Sequence, residues 1–300
     1  MNRIKFILLF VLVFLCHTDT YAQKDTIVVG RVSSDAKKHY SRFKPFADYL
    51  AKRLGDSGIK KGNVVLPKNN AQMVEYIKDG KIDIITETIY SSMFYIKETG
   101  VIPLLRRWKK GFPVYHSVIF ARKDSGIKSL SDLKGKIVAL EDPGSTSGYF
   151  LPKGAFLSKG IKMVELKSLH ETPSPDTVGY VFTRGEMNIG HWVYKGMADA
   201  GAFSNIDYDF PTRFPAEYMD KLMIVHRTQE VPSNLILVRP GLDSDLVEKI
   251  KKILIDMKNN EEGTKIMFNF SRTSAFDEFP EGIDKIFDSL GDLYDLVASE

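Results

Sequence analysis

Residues 26–55 read TIVVGRVSSDAKKHYSRFKPFADYLAKRLG. Thr26 to Gly30 is a β-rich apolar run, followed by a polar loop with Ser33 and Ser34. Phe43, Phe46, Tyr49-Leu50 and Leu54 then recur at helical spacing, and Gly55 offers a stop. The same strand-then-helix unit continues outward from this stretch. Val64-Val65-Leu66 is a second short strand, and Asn70 is placed to cap a helix carrying Met73, Tyr76 and Ile77 that Gly80 ends. Ile82 to Thr86 is a third strand, with Thr88 placed to cap a helix reaching about Glu98. This βαβα order predicts an α/β fold with a mainly parallel sheet covered by helices.

Beyond Pro103 and a basic turn, Val114 to Ala121 is a longer β-rich run. A second series follows: a strand over Lys136 to Leu140, a helix after Ser145, and a strand over Met163 to Leu166. A segment with Trp192 and Tyr194 leads to a short strand ending near Phe203, and further strands are expected at Leu222 to Val225 and at Leu235 to Val238. From about Asp243 the chain is mostly helical, with an apolar stripe of Leu246, Ile250, Ile253-Leu254 and Met257, and a last helix from Gly282 to Val297. That closing region has too few strands for a domain of its own. The expected organisation is therefore a first lobe over 23–115, a second over 116–227, and a return over 228–300 that completes the first lobe. Two lobes joined by two crossing segments form a cleft able to hinge shut on a small ligand.

The chain has 300 residues, 43% hydrophobic and 27% charged, which excludes a disordered or low-complexity polymer. Its 42 basic and 38 acidic side chains leave a net charge of +4, too small and dispersed to argue for a nucleic acid partner. Arg3 and Lys5, the apolar run Phe6 to Leu15, and Thr20-Tyr21-Ala22 have the order of a cleaved secretory signal over residues 1–22. The run is too short to cross a bilayer, so the expected destination is the periplasm. Cys16 is the one cysteine, and bulky Leu15 before it argues against a lipid anchor there. Loss of the leader removes any disulfide, so the fold depends on its own core.

The most informative chemistry is Asp142-Pro143-Gly144-Ser145-Thr146-Ser147-Gly148, between a strand and a helix. Three hydroxyls at a helix start, flanked by glycines, suit a tetrahedral oxyanion, but they also suit an ordinary helix cap. The lysine-serine/threonine ending of a nucleotide P-loop is absent. Glu87-Thr88-Ile89-Tyr90-Ser91 is a second strand-to-helix junction, able to bring Thr88, Tyr90 and Ser91 to the cleft from the other lobe. Tyr90 could instead pack on its own helix. Glu87 would repel an anion unless it is protonated or paired with a base.

Arg106-Arg107-Trp108-Lys109-Lys110 reads as a solvated surface turn or a modest source of anion steering. Tyr115 and His116 fall at the lobe junction as hinge or pocket, and His191 is either a cleft donor or a structural histidine. Ser204-Asn205 ends a strand, where ligands meet an α/β sheet. With no HExxH, nucleophile elbow, cysteine nucleophile or arranged carboxylate pair, the pattern favours binding without turnover, with no metal or cofactor.

Several ordered motifs give a resemblance that covers roughly residues 27–240 and is strongest over Arg106–Gly160. They are Arg107-Trp108-Lys109-Lys110-Gly111, Tyr115-His116-Ser117, Lys123-Asp124-Ser125-Gly126, Asp132-Leu133-Lys134-Gly135-Lys136, Ser145-Thr146-Ser147-Gly148-Tyr149 and Ala200-Gly201-Ala202. In these the chain resembles the substrate-binding proteins of ABC importers for phosphonate, phosphite and phosphate. The resemblance implies a two-lobed type II periplasmic binding protein fold and a receptor that is not an enzyme. It implies that Ser145, Thr146 and Ser147 hold a phosphorus oxyanion, with the 87–91 turn opposite and with His191 and Ser204 on the far wall. The chain departs from the family at Glu87–Ser91, where members usually carry a glycine-containing turn with a serine-tyrosine pair. Phosphate, phosphite and phosphonates stay open as ligands. The expected partner is an ABC permease or a membrane sensor domain, with the receptor a monomer. The alternatives are a receptor for an unrelated nutrient and an exported enzyme acting on phosphate esters.

Overall fold

The computed structural model describes residues 24–33, 35–209 and 215–300; the expected leader and Cys16 lie outside them. The first unit alternates β1 (Thr26–Gly30), α1 (Ala36–Arg53), β2 (Lys61–Val65), α2 (Asn70–Lys78), β3 (Ile84–Glu87), α3 (Ile89–Thr99) and β4 (Ile102–Lys109). The chain crosses through β5 (Val114–Tyr115) into β6 (Ser117–Arg122), β7 (Ile137–Leu140), α4 (Leu151–Leu157), β8 (Met163–Glu165), β9 (Val178–Phe182) and α5 (Glu186–Tyr194). The second unit closes with β10 (Ala200–Ser204), α6 (Asn205–Tyr208), α7 (Ala216–Lys221) and β11 (Leu222–Arg227). The chain returns through β12 (Val231–Pro232) to β13 (Leu235–Val238), α8 (Ser244–Asp256), α9 (Glu261–Asn269), β14 (Thr273–Asp277) and α10 (Ile283–Ala298).

Two six-stranded sheets result, ordered β14-β4-β13-β3-β1-β2 and β11-β6-β10-β7-β9-β8. In the first, β1 runs parallel to β2 and β3, and the returning β13 inserts antiparallel between β3 and β4. Leu235–Val238 is covered on both faces there, which is why it reads LILV without alternation. The two crossing segments pair with each other, Val231 opposite Tyr115 and Pro232 opposite Val114. They form a short two-stranded hinge between the lobes. This is the two-lobed type II periplasmic binding protein architecture.

Packing ties the return to the first lobe. Phe43, Phe46 and Leu50 on one face of α1 bury against Phe270 and Phe276, with Phe46 and Phe270 stacked at 4.0 Å between ring centres. The other face of the first sheet shares a cluster with Phe150 and Leu151 of the second lobe and Leu290, Tyr294 and Val297 of α10. The last helix therefore packs on both lobes.

Four local expectations change. Asn69, not Asn70, caps α2 by accepting from Gln72 N at 2.9 Å, while Asn70 Oδ1 accepts the Tyr95 hydroxyl at 2.6 Å. α1 ends at Arg53, and its left-handed residue is Gly58 (φ 81°), not Gly55. The run Val114 to Ala121 is two strands parted at His116, which pair into different sheets. Arg106–Lys109 is the end of strand β4, so the basic run is no solvated turn: Arg106 and Arg107 are buried, because β14 and β13 cover them from both sides.

Candidate functional site

A cavity of about 1330 Å³ lies between the lobes. Its inner end is built by two strand-to-helix junctions that face each other. In the first lobe β3 ends at Glu87, Thr88 takes extended backbone, and α3 begins. The Thr88 side chain makes no cap bond, so its hydroxyl is left for the cavity it lines. In the second lobe β7 gives way to the 141–145 turn and then to a wide helical turn over Thr146–Phe150, closed by Phe150 N donating to Ser145 O at 2.9 Å. Gly148 is dictated by packing, since a Cβ there would lie 2.5 Å from Glu141 Cβ and 2.9 Å from Ser145 Oγ.

The hydroxyl triplet divides its work. Ser145 caps the turn by accepting from Gly148 N at 3.0 Å and donates to Glu141 Oε2 at 2.6 Å. Thr146 Oγ1 accepts from Tyr90 N at 3.0 Å across the lobes, and Ser91 Oγ donates to Gly144 O at 3.3 Å. Ser147 lines the cavity while its carbonyl accepts Ser117 Oγ at 2.6 Å, tying the turn to β6. Burial pushes the Tyr115 phenol up, opposed by hydrogen bonding with Thr146 and Ser147, so it stays a neutral donor beside them. Thr88, Ser147 and Tyr115 thus bring neutral hydroxyls to the inner end of the cavity, a set suited to an oxyanion.

Charge around them is arranged by burial. Desolvation raises Glu87, opposed by Arg31, by the Val32 N–H donated to Glu87 Oε1 at 2.9 Å, and by Arg107. Glu87 therefore has both remedies for repulsion: burial favours its neutral form, and bases face it. Glu141 is pushed up to about 8, first by burial and then by the Glu186 charge. Arg107, 3% exposed, donates to Thr273 Oγ1 at 2.9 Å and Asn234 Oδ1 at 2.5 Å. Lys109 and Lys110 reach across to Asp207 on α6 at 3.5 and 2.7 Å, and Ser204 Oγ donates to the same carboxylate at 2.8 Å. Among the described residues, no cluster of His, Cys, Asp and Glu is arranged to hold a metal ion.

Of the residues expected from sequence, Thr88, Ser91, Tyr115, Ser145 and Ser147 line the cavity. Thr146 sits between them as the inter-lobe acceptor. Four others are elsewhere. The Tyr90 ring stacks on Phe150 at 4.5 Å and packs near Tyr294, because the start of α3 presses on the second lobe. His116 N donates to Asn205 Oδ1 at 3.0 Å and its ring meets Arg227, which makes it a hinge residue. His191 is exposed on α5, with Nδ1 bonded to the Tyr218 hydroxyl at 2.7 Å. Ser204 is buried as the cap of α6, and Asp207, which it holds, reaches the cavity.

The residues missed in sequence are the cationic wall: Arg31, Arg107, Lys109, Lys110 and Arg272. The basic run was visible, but its strand was not, and alternation along that strand would have turned Arg107 and Lys109 to one face.

The chain matches the family model described as "ABC transporter, phosphonate, periplasmic substrate-binding protein" over residues 31–280. It is 25% identical over 250 residues to the "Phosphate-import protein PhnD" of Mycolicibacterium smegmatis, covering 77% of this chain and 71% of that protein. It is 28% identical over 256 residues to the "Phosphonates-binding periplasmic protein" of Escherichia coli, covering 82% and 70%. Among solved structures, XAC2383 from Xanthomonas citri bound to chloride superposes with a TM-score of 0.87 at 31% identity, covering 92% of this chain and 99% of that one. The same protein bound to ATP gives 0.86. With motif order, two-lobed architecture and family model in agreement over most of its length, the chain belongs to the phosphonate-type periplasmic substrate-binding proteins of ABC transporters.

Proposed function

We propose that the protein captures a small phosphorus oxyanion between its lobes and hands it to the permease of an ABC importer. The observation that carries this reading is the convergence of Ser145, Ser147, Tyr115 and Thr88 at the inner end of a cleft whose first-lobe wall is cationic, with buried Thr146 joining the lobes beside them. Neutral donors and nearby cations stabilise a phosphorus-borne charge once closure removes water. The relatives' names, phosphate import and phosphonate binding, support the same ligand class. The Xanthomonas citri protein, solved bound to chloride and bound to ATP, supports an anionic ligand.

Titration calorimetry on chain stripped by unfolding and refolding tests the reading with orthophosphate, phosphite and methylphosphonate. Ser147→Ala should weaken binding by about 1–3 kcal/mol, the cost of leaving a charged acceptor one donor short, and Thr146→Val should weaken it by removing the acceptor that holds Tyr90 N across the lobes. Unchanged affinity in both variants would remove the hydroxyl turn from the site. Native mass spectrometry of the unstripped protein should show a retained small mass that refolding abolishes.

A further inference from the structure

The lobes already touch at the inner end of the cleft, through Tyr90 N to Thr146 Oγ1 and Ser91 Oγ to Gly144 O. Even so, the cavity keeps about 1330 Å³, above the range of about 300–1,000 Å³ usual for pockets that enclose drug-sized ligands. A bare phosphorus oxyanion at the hydroxyl turn leaves most of that space unused.

The unused space has its own chemistry. Arg107 is buried, its two terminal nitrogens donate only to neutral oxygens, and its Nε has no hydrogen-bond partner among the described residues. A buried guanidinium left short of an acceptor is costly unless a ligand anion completes it. Arg31, which lines the same wall and faces the buried Glu87, makes no ion pair at contact distance among the described residues and leans over the Phe43 ring at 5.5 Å. Farther out, Phe268 on the last turn of α9 is 65% exposed on the cavity rim, beside Arg272. Ser271 and Arg272 both hold left-handed backbone (φ 55°), a costly conformation for such residues that sets Arg272 at the rim. An anion site, a second cationic site and an aromatic ledge thus follow one another along a single cavity.

We propose that the cleft takes an extended organic phosphate of the nucleoside di- or triphosphate class. Its terminal phosphoryl group lies at Ser145–Ser147, a second phosphoryl group on Arg107 and Arg31, and its planar ring against Phe268. This rests on the oxyanion reading above and narrows its ligand class. Calorimetry of the stripped full chain with orthophosphate, pyrophosphate, ATP and adenosine is the test. Pyrophosphate and ATP should bind at least about tenfold more tightly than orthophosphate, from the added charge-assisted bonds. Arg31→Gln and Arg107→Gln should each weaken pyrophosphate and ATP at least about tenfold more than they weaken orthophosphate, removing that advantage, and the partly exposed Arg31 serves where the buried variant folds poorly. Phe268→Ala should weaken ATP about fivefold or more and leave pyrophosphate unchanged, as expected for a lost stacking surface. Orthophosphate or methylphosphonate binding as tightly as ATP, or an unchanged ratio in the variants, overturns the extended class and leaves the oxyanion reading standing. Failure of every phosphorus compound to bind overturns both.

Discussion

Glu141 touches the hydroxyl turn through Ser145, and its proton decides what Ser145 can offer. While Glu141 is a carboxylate, Ser145 Oγ–H is donated to it at 2.6 Å; a protonated Glu141 can donate instead, freeing that hydrogen for an anion. Burial and the Glu186 charge raise its pKa from the ordinary 4.5 to about 8. A bound anion raises it further, so binding is expected to take up protons near and above pH 8 and to weaken as pH rises from 7 to 9. Calorimetry of orthophosphate binding in buffers of differing ionisation enthalpy measures this, and Glu141→Gln should flatten the profile. The same shift acts on folding. The folded state holds a proton that the unfolded chain has already released, so the group's contribution is fully present below about pH 4.5 and is lost as pH rises to about 8. Thermal unfolding of wild type against Glu141→Gln should show a gap that shifts in favour of the variant across that window.

The wide turn over Thr146–Phe150 is the element on which the site depends. It follows the buried strand β7 and precedes α4, so its hydroxyls sit at the C-terminal end of that strand, where ligands meet an α/β sheet. Gly148 lets Glu141 and Ser145 meet beneath the turn. Gly148→Ala places a methyl group 2.5 Å from Glu141 Cβ, which cannot swing away as a side-chain tip can. A loss of about 1–3 kcal/mol in denaturant unfolding is expected, together with weaker anion binding. The neighbouring α4 is fixed in the same manner from outside, since a Cβ on Gly154 would lie 2.5 Å from Leu293 Cδ1 of α10.

Across the whole molecule, closure is held by an ion pair as well as by the hinge. Asp207 and the Lys110 side chain are 1% and 5% exposed, and Lys110 Nζ lies 2.7 Å from Asp207 Oδ1 between lobes. Removing one partner of a buried pair leaves the other charge uncompensated. Asp207→Asn is therefore expected to cost about 3–5 kcal/mol in thermal or denaturant unfolding, and small-angle scattering should show a larger radius of gyration as the lobes part. A compact, fully stable variant would mean that α10 and the paired strands β5 and β12 suffice to hold the lobes together.

Much of this molecule is legible along the chain because it depends on near neighbours. Apolar runs, helical stripes and glycine stops place β1, α1, β3, α8 and α10 without reference to anything distant, and hydroxyls after a strand mark the 145–147 turn. The rest depends on contacts far apart in sequence. Arg107 acquires its buried place from Asn234 and Thr273, residues 127 and 166 positions away, so a basic run looked like surface until β13 and β14 closed over it. Tyr90 and His191 look like cleft residues in a linear reading, yet Phe150 claims one ring and Tyr218 the other. Local patterning by itself determined which segments are strands, helices and anion-friendly turns. Only the tertiary structure decided which side chains share the cavity, because lobe-to-lobe packing sets burial, and burial sets which charges face a ligand.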